Sequence, residues 1–229
     1  MHPQFETPAD VVEPLAAWVT VLPAFLALLL TMWGLWGLRT VLKPSVALWC
    51  VLALALVVRF LWMPVGLHLF DGHEAEYRDI FTGERSVSRG SVMLYPAMQW
   101  IYAGLGRLSS NTSILLAFSG IASLVSIAAL YGLAKRLTGA RSAWVAAGVL
   151  ALWGNHAFWA SSAYNVALPL AFCLGAIWAL LVLAQDEEDL RIPAAACAAG
   201  CAALAVATRA ESLLLAPVGL AFFLLQKPR

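Results

Sequence analysis

The chain has 229 residues, of which 62% are hydrophobic and 12% are charged. Soluble domains carry about 25% charged residues because their surfaces must be polar, so this composition excludes an ordinary soluble protein. A net charge of +1 also argues against a nucleic-acid-binding protein. The composition predicts an all-α, polytopic integral membrane protein.

The predicted spans follow from the lengths of the apolar stretches, since a helix needs about 20 apolar residues to cross a bilayer. A signal peptide carries Lys or Arg before its apolar stretch, whereas no Lys or Arg precedes the first apolar stretch here. We therefore expect this first stretch to be a retained membrane anchor. Residues 142–185 are uncharged and long enough for two crossings, with a break expected between Gly154 and Asn165. About seven transmembrane helices are predicted in total: 14–38, 44–70, 108–134, two within 142–185, 192–208 and 212–226.

Positive charges predict how these spans are oriented. With the N-terminus outside, eight Lys and Arg residues fall on the inner side and five on the outer side. We therefore expect the C-terminus to be cytoplasmic.

Most of the outward-facing polarity lies in one loop, residues 68–107. Its second half, residues 92–106, is uncharged but too short to cross a hydrocarbon core of about 30 Å, and it contains Pro96. Tyr95, Trp100 and Tyr102 are typical of a helix that lies in the membrane interface. We predict an interfacial helix in this half of the loop.

The densest polar cluster of the chain is Phe70-Asp-Gly-His-Glu-Ala-Glu-Tyr-Arg-Asp79. It begins where the second span leaves the membrane, and partial desolvation there makes a carboxylate a stronger base. A solvated loop whose charges pair with one another is the alternative. Arg59, inside the second span, also has two interpretations: it holds a lipid phosphate or a loop carboxylate, or it snorkels to the interface.

The order of these elements resembles the GT-C superfamily of polyprenyl-phosphate-sugar-dependent glycosyltransferases, in particular bacterial relatives of protein mannosyltransferases and of the lipid A aminoarabinose transferase. The resemblance covers about residue 44 to the C-terminus, so we divide the chain into an N-terminal tail with an extra helix (1–43) and a GT-C-like module (44–229). The matching segments are His73-Glu-Ala-Glu-Tyr77, Tyr95-Pro-Ala-Met-Gln-Trp-Ile-Tyr102, Leu133-Ala-Lys-Arg-Leu-Thr-Gly-Ala-Arg141, Trp159-Ala-Ser-Ser-Ala-Tyr-Asn-Val-Ala-Leu168 and Ala207-Thr-Arg-Ala-Glu-Ser-Leu-Leu-Leu215.

The resemblance implies that a sugar passes, with inversion, from a polyprenyl-phosphate donor to an acceptor at the outer membrane face. The resemblance to bacterial relatives also implies a location in a bacterial inner membrane. The family's catalytic Asp falls at His73, so the candidate bases are Asp71, Glu74 and His73 itself. Arginine side chains would hold the departing phosphate, which makes a metal unnecessary, with a divalent cation as an optional addition. The expected substrate-binding residues are Arg59, Glu76, Tyr77, His156, Tyr164, Arg209 and Glu211.

The expected partners are the lipid-linked sugar donor, membrane lipids and further membrane subunits, with no nucleic acid. A second interpretation makes the chain a non-catalytic GT-C-like scaffold or assembly subunit, because the family's catalytic Asp is replaced and the chain is short for the family. A transporter is a third and weaker interpretation, since the spans show no pair of broken helices.

Overall fold

The computed structural model describes residues 9–41, 45–66, 73–84, 96–161, 166–185 and 188–214, and within these ranges the regular structure is helical. This confirms the predicted all-α fold class. Two short 3₁₀ helices, Glu188–Leu190 and Ala210–Leu214, flank the last α-helix. The α-helices are α1 (Ala9–Gly37), α2 (Val46–Gly66), α3 (His73–Thr82), α4 (Pro96–Leu108), α5 (Ser113–Thr138), α6 (Ala140–Leu152), α7 (Gly154–Ala160), α8 (Ala167–Gln185) and α9 (Arg191–Thr208).

Helix α5 lies at the centre of the described bundle, because each of three buried clusters includes at least one of its residues. Leu133 packs with α8 and α9, Ile127 with α2 and α6, and Leu115 with α3 and α4. Large apolar side chains on the outer surfaces of α1, α2 and α6 stay exposed, as expected for helices that face lipid.

The described part of the bundle has two distinct ends. The turn before α2 lies beside the end of α5, where the Ser45 and Tyr131 hydroxyls are 2.7 Å apart. Leu38, Leu133 and Leu190 meet in the same buried region, which places the turn before α9 there as well. We call this the basic end, since it carries Arg39, Lys135, Arg136, Arg141 and Arg191. The opposite end, where α3 packs, is called the α3 end.

The turn between α5 and α6 depends on Gly139. Its φ of +94° lies in a region that side-chain-bearing residues avoid. Its N–H donates to the Lys135 carbonyl at 3.1 Å. The chain therefore reverses within one residue, and α6 packs against α5.

Small residues bring α1 against α9. A Cβ at Gly34 would lie 2.6 Å from the backbone nitrogen of Cys197, and a Cβ at Gly200 would lie 2.6 Å from the Ala27 carbonyl oxygen. Close backbone approach of this kind is a usual way for membrane helices to associate. Cys197 and Cys201 of α9 are both buried.

Three described helical segments are long and apolar enough to cross a membrane: Ser113–Thr138, Ala167–Gln185 and Glu188–Thr208. Shorter apolar helices cover Leu22–Gly37, Val46–Leu61 and Ala140–Leu152. The protein is accordingly an integral membrane protein. Most of the predicted seventh span lies outside the described residues.

The break inside residues 142–185 was predicted between Gly154 and Asn165. A helix does end within that range, at Ala160, but Gly154–Ala160 is itself helical and a first interruption falls earlier, at Trp153, whose φ and ψ are −64° and 114°. The helical path thus continues through α7 after one extended residue, and α8 begins only at Ala167.

Candidate functional site

The helix that carries the predicted acidic segment, α3, rests on α4. Ile80 and Phe81 of α3 pack in one cluster with Met98 and Tyr102 of α4, and each of the four is at most 4% exposed. The ring of Tyr102 also meets Phe118 of α5 edge-on, with centroids 6.4 Å apart. This apolar contact fixes α3 at one end of the bundle.

The spacing between α3 and α4 is set by Gly106. A Cβ at this position would overlap the backbone carbonyl of Phe81, so only glycine permits the observed approach. Helix α4 begins at Pro96, a first-turn position where the missing N–H costs nothing. The predicted interfacial helix over 92–106 is thus helical from residue 96, and its orientation in a membrane stays a prediction.

The predicted catalytic and acidic residues lie in or just before the first turns of α3. His73 opens the helix, and its backbone also carries Glu74, Glu76 and Tyr77. The structure does not describe their side chains, and Asp71 lies outside the described residues, as does Tyr164. The sequence places Asp71 two residues before the helix.

Arg209 lies at the same end of the bundle as α3. It follows the last residue of α9 in an extended conformation, its N–H donates to the Ala205 carbonyl at 2.9 Å, and its side chain is half-buried. Helix α9 also packs against α4, the support of α3. Glu211 is in the 3₁₀ helix that follows.

Two predicted binding residues meet directly inside the bundle. Nη2 of Arg59 donates to Nδ1 of His156 at 2.7 Å, although the two residues are 97 positions apart in sequence. Arg59 is 5% exposed and His156 is 8% exposed. Within the described residues, the groups that contact Arg59 are neutral. The carboxylates at the start of α3, which were predicted as its possible partners, are not among the described side chains.

Three serines extend this contact. Nε of Arg59 donates to Ser123 Oγ at 2.8 Å, and Nε2 of His156 is 3.1 Å from Ser126 Oγ. Ser161 Oγ reaches the Arg59 carbonyl at 3.3 Å. We call Arg59, His156, Ser123, Ser126 and Ser161 the Arg59 network.

The tautomer of His156 follows from its partners. A guanidinium has no acceptor, so Nδ1 of His156 must accept the hydrogen bond from Arg59. The Ser126 hydroxyl donates its proton to the Ser123 carbonyl oxygen at 2.8 Å, so its oxygen accepts the hydrogen bond from Nε2 of His156. The imidazole is consequently neutral, with its proton on Nε2, and both ring nitrogens have partners.

Arg59 also compensates for the helix break at Trp153. A broken helix leaves carbonyl groups of its last turn without N–H partners, which is costly at membrane depth. Nη1 of Arg59 donates to the carbonyl of Ala151 in that turn at 2.6 Å, and also to the Ala55 carbonyl at 3.2 Å. A cation at a helix C-terminus is favoured by the helix dipole as well. Within the described part of the chain, these contacts use four of the five guanidinium N–H groups of Arg59.

We expect Arg59→Gln to destabilise the protein by about 3 kcal/mol or more, since each buried acceptor left without a donor costs about 1–3 kcal/mol. Arg39→Gln is the matched control, because Arg39 is exposed and stacks 4.7 Å from the Trp36 ring at the surface. Unfolding by denaturing detergent, followed by circular dichroism, measures the difference. Equal midpoints for the two variants would refute the capping role of Arg59.

Sequence reasoning missed the serines and a second set of buried polar groups. Ser123 and Ser126 are three residues apart on α5, a spacing that places them on one helix face and could have indicated a polar stripe. Gln99 and Ser119 are fully buried with no hydrogen-bond partner for their side chains in the described structure. Their locations, on α4 and near the start of α5, belong to the α3 end.

No group of three or more His, Cys, Asp or Glu residues that would suit a metal ion occurs in the described ranges. The side chains of the acidic segment at the start of α3 are not among those described. The α3 end thus contains the acidic helix α3, which packs on α4, and Arg209 at the end of α9. Arg59 lies deeper in the bundle.

The chain matches a known protein family. Residues 93–229, more than half of the chain, match the family described as dolichyl-phosphate-mannose-protein mannosyltransferase. The matched range starts just before α4 and includes Arg209 and His156, whereas α3 precedes it. Searches of curated proteins and of solved structures gave no match.

Proposed function

The chain belongs to the dolichyl-phosphate-mannose-protein mannosyltransferase family, which is of the GT-C type, and from this membership we propose that it transfers a sugar from a polyprenyl-phosphate donor to an acceptor at the α3 end of the bundle. The main support for this proposal is the family match over residues 93–229. The family is named for a dolichyl-phosphate donor, a mannosyl group and a protein acceptor; of these, only the lipid-phosphate donor class is proposed for this chain.

The proposed general base is a carboxylate next to the first turn of α3, with Asp71 first and Glu74 second. A base at this place takes the proton of the acceptor hydroxyl as that oxygen attacks the anomeric carbon of the donor sugar. The positive end of the helix dipole keeps an adjacent carboxylate ionised, which is the state that accepts a proton. His73 is the third candidate, since a neutral imidazole also accepts a proton near pH 7.

The proposed phosphate ligand is Arg209. As the bond from the anomeric carbon to the phosphate oxygen breaks, negative charge grows on the leaving phosphate, and a guanidinium stabilises it through charge-assisted hydrogen bonds. Support comes from the position of Arg209 at the end of α9, which packs on the same α4 that carries α3. Glu76, Tyr77, Tyr164 and Glu211 would surround the sugar.

The proposed role of Arg59 and His156 is more indirect. They lie deeper than α3: Ser123, their partner, is ten residues into α5, about 15 Å along the helix at 1.5 Å per residue. The contacts among the described residues leave at most one N–H of Arg59 for a water or a single phosphate oxygen. We assign the Arg59 network mainly to holding the broken α6–α7 helix and, through it, the residues that follow α7.

The scaffold interpretation stays the alternative, because His73 replaces the family's catalytic Asp. The two proposals differ in a turnover assay. Purified full-length protein in lipid nanodiscs, supplied with polyprenyl-phosphate-linked sugars, is expected to release polyprenyl phosphate in an acceptor-dependent manner. Binding of the donors without release of polyprenyl phosphate would instead support the scaffold.

The outward position of the α3 end is tested separately by labelling. A cysteine introduced at Ser88 is expected to react with an impermeant maleimide added to intact cells, whereas one at Thr138 is not. The reason is the excess of Lys and Arg at the basic end. The reverse pattern of labelling would contradict transfer at the outer face.

A further inference from the structure

A cavity of about 610 Å³ opens among α1, α2, α5, α8 and α9. Its described walls are mostly apolar, with Val125, Ala128 and Phe172 among them, and they include no member of the Arg59 network. The volume is within the range of about 300–1,000 Å³ that binding sites for small ligands occupy. The proposed sugar transfer does not use this cavity.

The cavity has the length of one membrane leaflet. Along α5 its walls run from Val125 to Arg136, about 16 Å at 1.5 Å per residue. A bilayer has a hydrocarbon core of about 30 Å, so one leaflet contributes about half of that. A ligand that fills the cavity therefore spans a single leaflet.

Cations mark one end of the cavity. Lys135 and Arg136 line it at the basic end, and the Arg136 guanidinium lies 5.9 Å from the ring centre of Trp178, another wall residue. Trp36 and Trp49 are 68% and 61% exposed near the same turns. Exposed tryptophans of this kind sit at headgroup level, so the two cations lie where lipid phosphates are found.

We propose that this cavity binds an anionic phospholipid from the leaflet at the basic end. An acyl chain would lie along the apolar wall of α5, and the phosphate would accept hydrogen bonds from Lys135 and Arg136. Charge complementarity selects an anionic lipid over a zwitterionic one, because a zwitterionic headgroup brings its own cation next to these two. This site is separate from the α3 end and does not depend on the proposed glycosyl transfer.

The test is lipid retention by the purified full-length protein, measured by native mass spectrometry. Delipidated protein is offered phosphatidylglycerol or phosphatidylcholine with identical acyl chains. We expect phosphatidylglycerol to bind more tightly, and Lys135→Gln combined with Arg136→Gln to weaken it by about tenfold or more, as loss of charge-assisted hydrogen bonds does. Arg141→Gln, at the same end but outside the cavity walls, should leave the affinity unchanged.

A second variant tests the apolar part of the site. Ala128→Leu narrows the cavity from a half-buried helix position and is expected to reduce phosphatidylglycerol retention while the thermal midpoint stays within a few degrees of wild type. Equal retention of the two lipids, or equal loss in the Arg141 control and the double variant, would overturn the proposal. Displacement of phosphatidylglycerol by polyprenyl phosphate, with the same dependence on Lys135, would also overturn the assignment to a phospholipid.

Discussion

Asp71→Asn is expected to lower the rate of sugar transfer by about 10²–10⁴-fold, the usual contribution of a general base. The amide preserves the size of the side chain but accepts no proton from the acceptor hydroxyl. Glu74→Gln should be the next most damaging change, since Glu74 lies in the first turn of α3. The measurement is the turnover rate of purified variants at saturating donor, with donor binding determined on the same samples.

Asp79→Asn is the matched control for both variants. Asp79 is on the same helix, but it is partly exposed and its carboxylate pairs with Arg78 at 3.3 Å. Exposed pairs of this kind contribute about 0–1 kcal/mol, so the control should keep nearly full activity. If the Asp71 and Glu74 variants turn over as fast as the control while His73→Gln is inactive, the base is His73 instead.

Gly106→Ala is expected to reduce transfer by about 10²-fold, because displacement of a catalytic group by about 1 Å has an effect of that size. A methyl group at Gly106 would overlap the Phe81 carbonyl and must push α3 away from α4. The variant tests whether the position of α3 matters for the reaction, apart from the identity of its side chains. The rate at saturating substrate and the thermal midpoint are both measured.

Gly104→Ala is the control on the same helix. A Cβ at Gly104 meets no atom within 4 Å, and alanine favours a helix over glycine by about 1 kcal/mol. This variant should therefore retain its activity and its stability. Equal turnover by the two glycine variants would show that the reaction does not depend on the observed position of α3 against α4.

Much of the fold was predictable because burial in lipid leaves little choice of backbone structure. Long uncharged stretches have to be helical when no water can satisfy their polar backbone groups. This reasoning located α9 to within one residue and α5 to within five, and it placed α8 in the second half of residues 142–185. The central position of α5 was not predicted. It arises from three separate clusters, each formed with a different pair of helices, which no local pattern reports.

The helix break at Trp153 shows why local signals were insufficient. Glycine, asparagine and histidine at 154–156 favoured a break there, yet these residues are helical. A distant side chain, Arg59, stabilises the free Ala151 carbonyl and makes the earlier break tolerable. Such compensation depends on the packing of α2 against α6 and α7, so the break could be placed only with the tertiary structure.

The sequence predicted individual residues of the candidate site but not how these residues contact one another. Sequence reasoning selected Arg59 and His156 separately as binding residues, and the structure joins them by one hydrogen bond. It did not predict the serines and carbonyl groups that contact the cation in the described part of the bundle. The packing of α3 against α4 was not predicted either, because it depends on the absence of a side chain at Gly106.

The measurement that tests the central claim most directly is single-turnover transfer from a radiolabelled polyprenyl-phosphate sugar by the double variant Asp71→Asn, Glu74→Gln. The variant should bind the donor as wild type does, because the phosphate ligand Arg209 is intact. It should form product at least about 10²-fold more slowly than Asp79→Asn. Transfer by the double variant at the rate of the Asp79→Asn control would contradict a carboxylate base at the start of α3.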